Sequence, residues 1–255
     1  VGAAATGLRP IAELMFCDFL TVGMDQLVNQ AAKMRYMFGG KISMPMVLRM
    51  PAGAGTGAAA QHSQSLEAWV THVPGLKVVY PSTAEDALGL MLSAIDDDNP
   101  VVYFENKLLM GVKSEVKSLE PIPLGKGRIV REGGDLSIIT YGRQVFDALK
   151  AAEELAKEGI EAEVVDLRSL YPLDTELMEQ SISKTHKAIV FTEEVKRGGY
   201  GGELSAIIGE EMFDYLDAPV ARIGALNTPV PFAPNLEQYY MPNEKDVIAA
   251  ARKMF

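Results

Sequence analysis

One stretch decides both the fold and the candidate site: Gly53-Ala54-Gly55-Thr56-Gly57-Ala58-Ala59-Ala60-Gln61-His62-Ser63-Gln64-Ser65-Leu66-Glu67-Ala68-Trp69. It begins as a loop rich in glycine and alanine, and it continues into a helix that we predict over residues 64–72. Glycine lets the backbone approach a ligand closely, and histidine can donate or accept a proton near neutral pH. His62 is therefore either a helix cap at the surface or a functional group, and the spacing leaves both possibilities open.

The glycine loop does not match the known phosphate-binding motifs. The dinucleotide fingerprint needs a G-x-G-x-x-G pattern that opens a helix, and a P-loop needs a following Gly-Lys-Ser/Thr; neither is present. The other two histidines do not complete a site with His62. His72 lies at a predicted helix end and His186 between two lysines, so the three do not show the spacing of metal ligands.

Composition excludes several classes of function. The chain has 255 residues, a net charge of −10 and 48% apolar residues. The negative charge argues against nucleic-acid binding, and no apolar run approaches the roughly 18 residues that span a membrane. Cys17 is the only cysteine, which excludes a disulfide framework and favours a reducing, cytoplasmic location. The chain begins at Val1 without a methionine, and we expect that natural N-terminal sequence is missing.

Strand-like and helix-like segments alternate along the chain in two blocks. The predicted strands cover residues 11–16, 45–50, 77–80, 101–105, 136–140, 163–167, 188–192 and 220–223. The predicted helices cover 24–38, 64–72, 82–95, 143–157, 174–183, 198–215 and 243–255, with capping signals at Ser82 to Glu85, Asp174 and Asn243. This alternation predicts an α/β protein with two parallel-sheet domains, residues 1–117 and 131–255, joined by a linker over 118–130.

Two acidic segments each allow two interpretations. Asp96 to Asn99 follows a predicted helix and is either a solvated turn or a cation site that uses freed helix carbonyls; the residues alone favour the turn. Glu193 and Glu194 follow a strand at the edge where ligands bind in parallel sheets. They could form a pair of catalytic carboxylates, but we favour charges that stabilise the next helix N-terminus.

Several motifs together resemble one enzyme family. They are Ala59 to Ser65 with His72 to Val79, Gly7 to Pro10, Asn29 to Lys33, Tyr36 to Gly40, Ser93 to Val102, Phe104 to Lys107, Asp166 to Asp174 and Glu193-Glu194. This set closely resembles the β subunit of the thiamine-diphosphate-dependent E1 enzymes of the pyruvate, branched-chain 2-oxoacid and acetoin dehydrogenase complexes. The resemblance covers essentially the whole chain.

The resemblance implies a pyrimidine-binding thiamine diphosphate fold followed by a transketolase C-terminal-like domain. It implies an α2β2 heterotetramer in which the E1 α subunit holds Mg²⁺ and the cofactor's diphosphate, and the β subunit holds the aminopyrimidine. His62 would then assist acyl transfer to the lipoyl group of the E2 acyltransferase, and Met15 and Phe19 would pack against the aminopyrimidine. The implied ligands of a structural potassium ion are Met46, Ala94, Ile95, Asp97 and Asn99, mainly through backbone oxygens, which favours the cation site over the turn.

One family residue has no counterpart. The glutamate that hydrogen-bonds the aminopyrimidine should lie just before Val1, and Glu13 comes too late in the pattern to replace it. We therefore expect this fragment to be inactive, even when it is paired with an α subunit. The sequence does not decide between pyruvate, acetoin and another 2-oxo acid. Two alternatives stay open: a fragment of a transketolase or deoxyxylulose-phosphate synthase, and a non-catalytic scaffold paralogue.

Overall fold

The computed structural model describes all 255 residues. It contains two five-stranded sheets with the strand orders β1-β2-β4-β3-β8 and β10-β9-β6-β7-β5. The strands are β1 (Ile11–Glu13), β2 (Val47–Ala52), β3 (Lys77–Val79), β4 (Val101–Asn106), β5 (Arg128–Arg131), β6 (Leu136–Thr140), β7 (Ala162–Asp166), β8 (Ser169–Tyr171), β9 (Ala188–Val195) and β10 (Ala221–Ala225).

Helices cover the faces of both sheets. They are α1 (Gly2–Ala5), α2 (Leu20–Asp25), α3 (Ala32–Met37), α4 (Glu67–Thr71), α5 (Ala84–Asp96), α6 (Gln144–Ala156), α7 (Thr175–Thr185), α8 (Tyr200–Glu211), α9 (Pro234–Tyr240) and α10 (Glu244–Ala251). A π-helical segment, Gln26–Ala31, joins α2 to α3, and short 3₁₀ turns cover Cys17–Phe19 and Phe213–Tyr215. No helix is both long enough and apolar enough to cross a membrane.

The central strands of both sheets are buried because their sequences are continuous apolar runs. β4 carries Val101, Val102, Tyr103 and Phe104, all fully buried, as expected for parallel strands covered on both faces. One apolar cluster extends from the first sheet to α7 and α8, so the two domains share part of their core. This shared core packs the first domain against the second.

The prediction of two parallel sheets is confirmed for the central strands, but each sheet also has one antiparallel edge strand. β8 comes from the second half of the chain and pairs with β3 of the first sheet. β5 pairs with β7 and lies where the linker was predicted to end. These strands have three and four residues, and β5 begins and ends with arginine. Segments this short carry no usable hydrophobic period.

Three local predictions were wrong in detail. The strand predicted as buried over residues 11–16 is limited to Ile11–Glu13 and is exposed, because it is an edge strand with a single neighbour. The helix predicted over 24–38 begins at Leu20 and changes to π geometry within its length. The capping box of α5 uses Thr83 and Asp86 rather than Ser82 and Glu85. The caps predicted at Asp174 and Asn243 are confirmed.

Candidate active site

The glycine loop follows β2 at the carboxyl edge of the first sheet, as predicted. α4 starts only at Glu67, however, so His62 lies in a turn before the helix. The predicted helix start at residue 64 is therefore three residues too early, and the N-cap position is occupied by Leu66 and not by His62. The cause is local: Ala59 adopts a left-handed backbone with φ of 60°, and its carbonyl accepts the His62 N–H at 3.3 Å.

Aromatic side chains surround the His62 ring. Phe16 and Phe19 both pack edge-on against it, with ring centroids 4.7 and 5.4 Å from the imidazole centroid. The structure thus brings His62 and Phe19 together, and it adds Phe16, which the sequence analysis missed. Met15 precedes Phe16 and is 64% exposed. Glu13 is ion-paired with Arg49 at 3.0 Å, in agreement with the view that it does not replace the family glutamate.

Polar contacts fix the chain on both sides of His62. The Lys107 ammonium donates a hydrogen bond to the His62 carbonyl oxygen and lies 5.2 Å from the centre of the Phe16 ring. The Gln64 side chain donates to the buried Asp18 carboxylate at 2.8 Å. Burial lowers the pKa of Lys107, although Asp18 opposes this shift. The His62 turn is therefore anchored to β4 and to the segment that follows β1.

Two carboxylates from the second domain accept hydrogen bonds from backbone N–H groups of the glycine loop. Glu193 accepts from the Ala54 N–H at 2.8 Å. Glu237 accepts from the Gly55 and Gly57 N–H groups at 2.8 and 3.0 Å. Successive amides that point at one side form an anion-binding concavity, and here the anions are the chain's own side chains. We call this set of contacts the loop clamp.

Both carboxylate oxygens of the buried Glu193 have hydrogen-bond partners. Its second oxygen accepts from the Asn106 amide at 2.8 Å, and Arg143 lies 3.6 Å away. Burial raises the pKa of Glu193, and the Arg143 guanidinium and the Ala54 amide oppose that shift. Glu194 instead accepts from the Gly201 N–H at the start of α8, at 2.9 Å. The preferred interpretation, a carboxylate at a helix N-terminus, is confirmed for Glu194 and wrong for Glu193.

Glu194 and Glu67 form a second buried acidic group, which we call the acid pair. Glu67 is 1% exposed, and neither of its carboxylate oxygens has a hydrogen-bond partner. Burial, together with the nearby Glu194 carboxyl, raises the pKa of Glu67 well above its ordinary value. Burial also raises the pKa of Glu194, to about 7. A carboxyl group without a partner cannot remain charged in such a site, so the acid pair retains a proton.

The acidic turn after α5 is already filled by basic side chains. The implied potassium ligands are Met46, Ala94, Ile95, Asp97 and Asn99. Arg9 donates to the carbonyl oxygens of Ile95 and Asp97 at 2.9 and 3.0 Å. The Asp97 carboxylate binds Lys77 and Asn99; these hydrogen bonds lower its pKa although burial opposes them. In this arrangement Arg9 and Lys77 supply the positive charge at the turn.

The remaining histidines take no part in the site. His72 is exposed at the end of α4, and His186 ends α7 in a left-handed conformation with its Nδ1 2.9 Å from the Tyr215 carbonyl oxygen. No group of three or more His, Cys, Asp or Glu side chains is placed to hold a metal ion. The sequence analysis missed Glu237 because it missed α9, although Pro234 at the first helical position was a usable start signal.

Comparisons with known proteins agree with this architecture. The family "Transketolase, pyrimidine binding domain" matches residues 1–113, and "Transketolase, C-terminal domain" matches residues 125–247. The acetoin:2,6-dichlorophenolindophenol oxidoreductase subunit beta of Cupriavidus necator is 51% identical over 99% of this chain and 75% of its own length. The pyruvate dehydrogenase E1 component subunit beta of Rickettsia conorii is 48% identical over 100% of this chain and 78% of its own length.

A solved structure shows the same fold at greater distance. A chain described as "split gene transketolase, inactive beta4 tetramer" superposes with a TM-score of 0.82 at 26% identity, over 99% of this chain and 78% of its own. The relatives with higher identity are named as dehydrogenase or oxidoreductase β subunits, so the transketolase-type alternative has less support. The chain belongs to the transketolase-like family that contains the β subunits of the pyruvate dehydrogenase E1 component and of the acetoin oxidoreductases.

Proposed function

We propose that this chain is the β subunit of a thiamine-diphosphate-dependent E1 enzyme. The enzyme would cleave pyruvate, another 2-oxo acid or acetoin and transfer the acyl group to the lipoyl group of an E2 acyltransferase, in the cytoplasm. The names of the relatives support the reaction class, since both acetoin and pyruvate enzymes occur at similar identity. The choice between these substrates belongs to the same proposal and is tested by assaying each of them.

The residues of this chain suit one part of the cofactor. The exposed Met15 and the half-buried Phe19 lie at the same edge of the first domain as His62, and an apolar surface of this kind suits the aminopyrimidine ring. The glycine-loop amides are engaged by Glu193 and Glu237. We therefore assign the diphosphate and its Mg²⁺ to an α partner. When bound, thiamine diphosphate supplies the carbanion-stabilising chemistry.

His62 would hold or move the proton that acyl transfer to a lipoyl sulfur requires. The observation that carries this assignment is its setting: the edges of Phe16 and Phe19 fix the imidazole ring, and its hydrogen bonds within the chain run through the backbone alone. The ring nitrogens are thus left available to a substrate. A ring positioned in this way can act as a general acid or base.

The test is His62→Ala in the full-length β subunit, which includes the residues before Val1, assembled with its α partner. We expect reductive acylation of the lipoyl domain to fall by about 100-fold or more, with thiamine diphosphate binding unchanged. Reduction of dichlorophenolindophenol, which needs no lipoyl group, should persist. His72→Ala is the matched control because His72 is exposed and takes no part in the candidate site. An unchanged transfer rate in His62→Ala would remove His62 from the mechanism.

The potassium site stays a prediction without structural support. Arg9 supplies a positive charge to the carbonyl oxygens of Ile95 and Asp97, and a potassium ion there would require Arg9 to move away. We therefore propose no role for potassium in the reaction.

A further inference from the structure

Glu237, on a helix of the second domain, holds the loop that carries His62 in the first domain. We propose that Glu237 is a positioning residue for acyl transfer, acting with Glu193 through the glycine-loop amides. This inference rests on the proposed function of His62. The second domain would then influence the transfer step without contributing a side chain that touches the cofactor.

The contact between Glu237 and the loop is specific in geometry. Its two oxygens each accept one amide N–H, from Gly55 and Gly57, which lie six and four residues before Gln61. Both glycines have positive φ, 100° and 68°, a conformation that turns their amides toward the same side. Hydrogen bonds to an ionised acceptor are about twice as strong as neutral ones. The loop is therefore held in one of several backbone arrangements open to glycine.

The Glu237 carboxylate makes no other side-chain hydrogen bond or ion pair in the structure. It is 3% exposed, and the loop amides are its hydrogen-bond partners. A buried carboxylate is costly unless it is paired or hydrogen-bonded, so its placement in α9 is matched to the amides it meets. Glu237 also interacts electrostatically with Lys107, the residue that binds the His62 carbonyl oxygen. Burial lowers the pKa of Lys107, and the Glu237 charge opposes that shift.

His62 is consequently held from both domains. Lys107, which directly follows β4, donates a hydrogen bond to the His62 carbonyl oxygen. Glu237 fixes the glycine loop that precedes His62. Loss of Glu237 would leave two amides without acceptors and free the loop to take other conformations. A displacement of about 1 Å in a reacting group can cost about 100-fold in rate, so transfer should be sensitive to this contact.

The decisive experiment uses Glu237→Gln in the full-length β subunit assembled with its α partner. Glutamine keeps the shape, but its NH₂ group cannot accept a hydrogen bond, so one amide loses its acceptor. We expect kcat for reductive acylation of the lipoyl domain to fall about 10-fold, while dichlorophenolindophenol reduction stays within about twofold. With ¹³C-labelled histidine in the β subunit only, the His62 imidazole signal should shift and the His72 and His186 signals should not. Glu237→Asp, which keeps the charge, should recover part of the rate.

Glu210→Gln is the matched control, since Glu210 is exposed on α8. Unchanged acyl transfer with an unchanged His62 signal in Glu237→Gln would overturn the proposal. An equal loss of both activities, accompanied by a lower melting temperature, would also overturn it in favour of a structural role. If Glu237→Gln fails to fold, the same two assays on Glu237→Asp decide. Failure of the proposed function is separate: it appears as no activity of the wild-type enzyme with any donor, or as an inert His62→Ala substitution.

Discussion

Glu193 and Glu194 are neighbours on β9 and burial raises the pKa of both, yet only Glu193 has a cation beside its carboxyl group. Glu193 points to the loop clamp and accepts from an amide N–H and from Asn106, with Arg143 nearby. Glu194 points to α8 and lies beside the unpartnered Glu67. The comparison shows that burial alone does not decide the charge of a carboxyl group. The supply of donors and cations around it does.

The acid pair has no cation beside it, and the Glu67 carboxyl group has no hydrogen-bond donor. The titratable groups that face Glu67 are Glu193, Glu194, Cys17, Tyr80, Tyr141 and Tyr240. None of these is a cation, so every ionisation in the group raises the cost of the next one. Tyr141 adds a hydroxyl that also has no partner. The same interface between domains therefore contains carboxyl groups that accept hydrogen bonds from loop amides, in the loop clamp, and a pair that retains a proton, in the acid pair.

The largest expected effect comes from breaking the loop clamp sterically with Gly53→Ala. A Cβ at Gly53 would lie 2.6 Å from Glu193 Oε1 and 2.7 Å from Asn106 Nδ2, on a backbone with φ of 93°. We expect the free energy of unfolding to fall by about 3 kcal/mol, measured by urea denaturation. Gly57→Ala is the control: it has φ of 68° but open space around its Cβ, and should cost about 1 kcal/mol. Equal losses would show that backbone strain, and not the clamp, accounts for the result.

The second prediction concerns the pH dependence of the acid pair. The pKa of Glu194 is about 7 in the folded chain and about 4.5 when unfolded, so the folded state binds more protons between these values. Its stabilising contribution is complete below about pH 4.5 and is lost as the pH rises through about 7. Glu194→Gln keeps an acceptor for Gly201 and removes this loss. The variant should therefore gain about 3 kcal/mol over the wild type at pH 8 and little at pH 4.5.

Urea denaturation of both proteins at several pH values measures this difference directly. Glu210→Gln, at an exposed position, should show no such trend. A Glu194→Gln curve that stays parallel to the wild type from pH 4.5 to 8 would mean that Glu194 is charged throughout, and the contrast with Glu193 would disappear.

Sequence patterns predicted most of what depends on neighbours along the chain. The apolar run of β4, the caps at Asp174 and Asn243 and the two-domain order are all local signals. The different partners of Glu193 and Glu194 were not predictable, because they depend on which amides lie within about 3 Å in the folded chain. Arg9 at the acidic turn is a contact over 86 residues or more, and no periodicity records such a pairing.

The smallest expected effect comes from removing the Lys107 ammonium, the other group that holds the His62 turn. Lys107→Met keeps an unbranched apolar stem over Phe16 but removes the ammonium that binds the His62 carbonyl oxygen. One hydrogen bond of this kind contributes about 1 kcal/mol, so urea denaturation should show a loss of that size. Acyl transfer should fall only a few-fold, because the loop clamp remains intact in this variant. Lys107→Arg, which keeps a cationic donor, is the control and should lie closer to the wild type. A loss of transfer in Lys107→Met larger than in Glu237→Gln would contradict this ranking and would make Lys107, and not the second domain, the main support of His62.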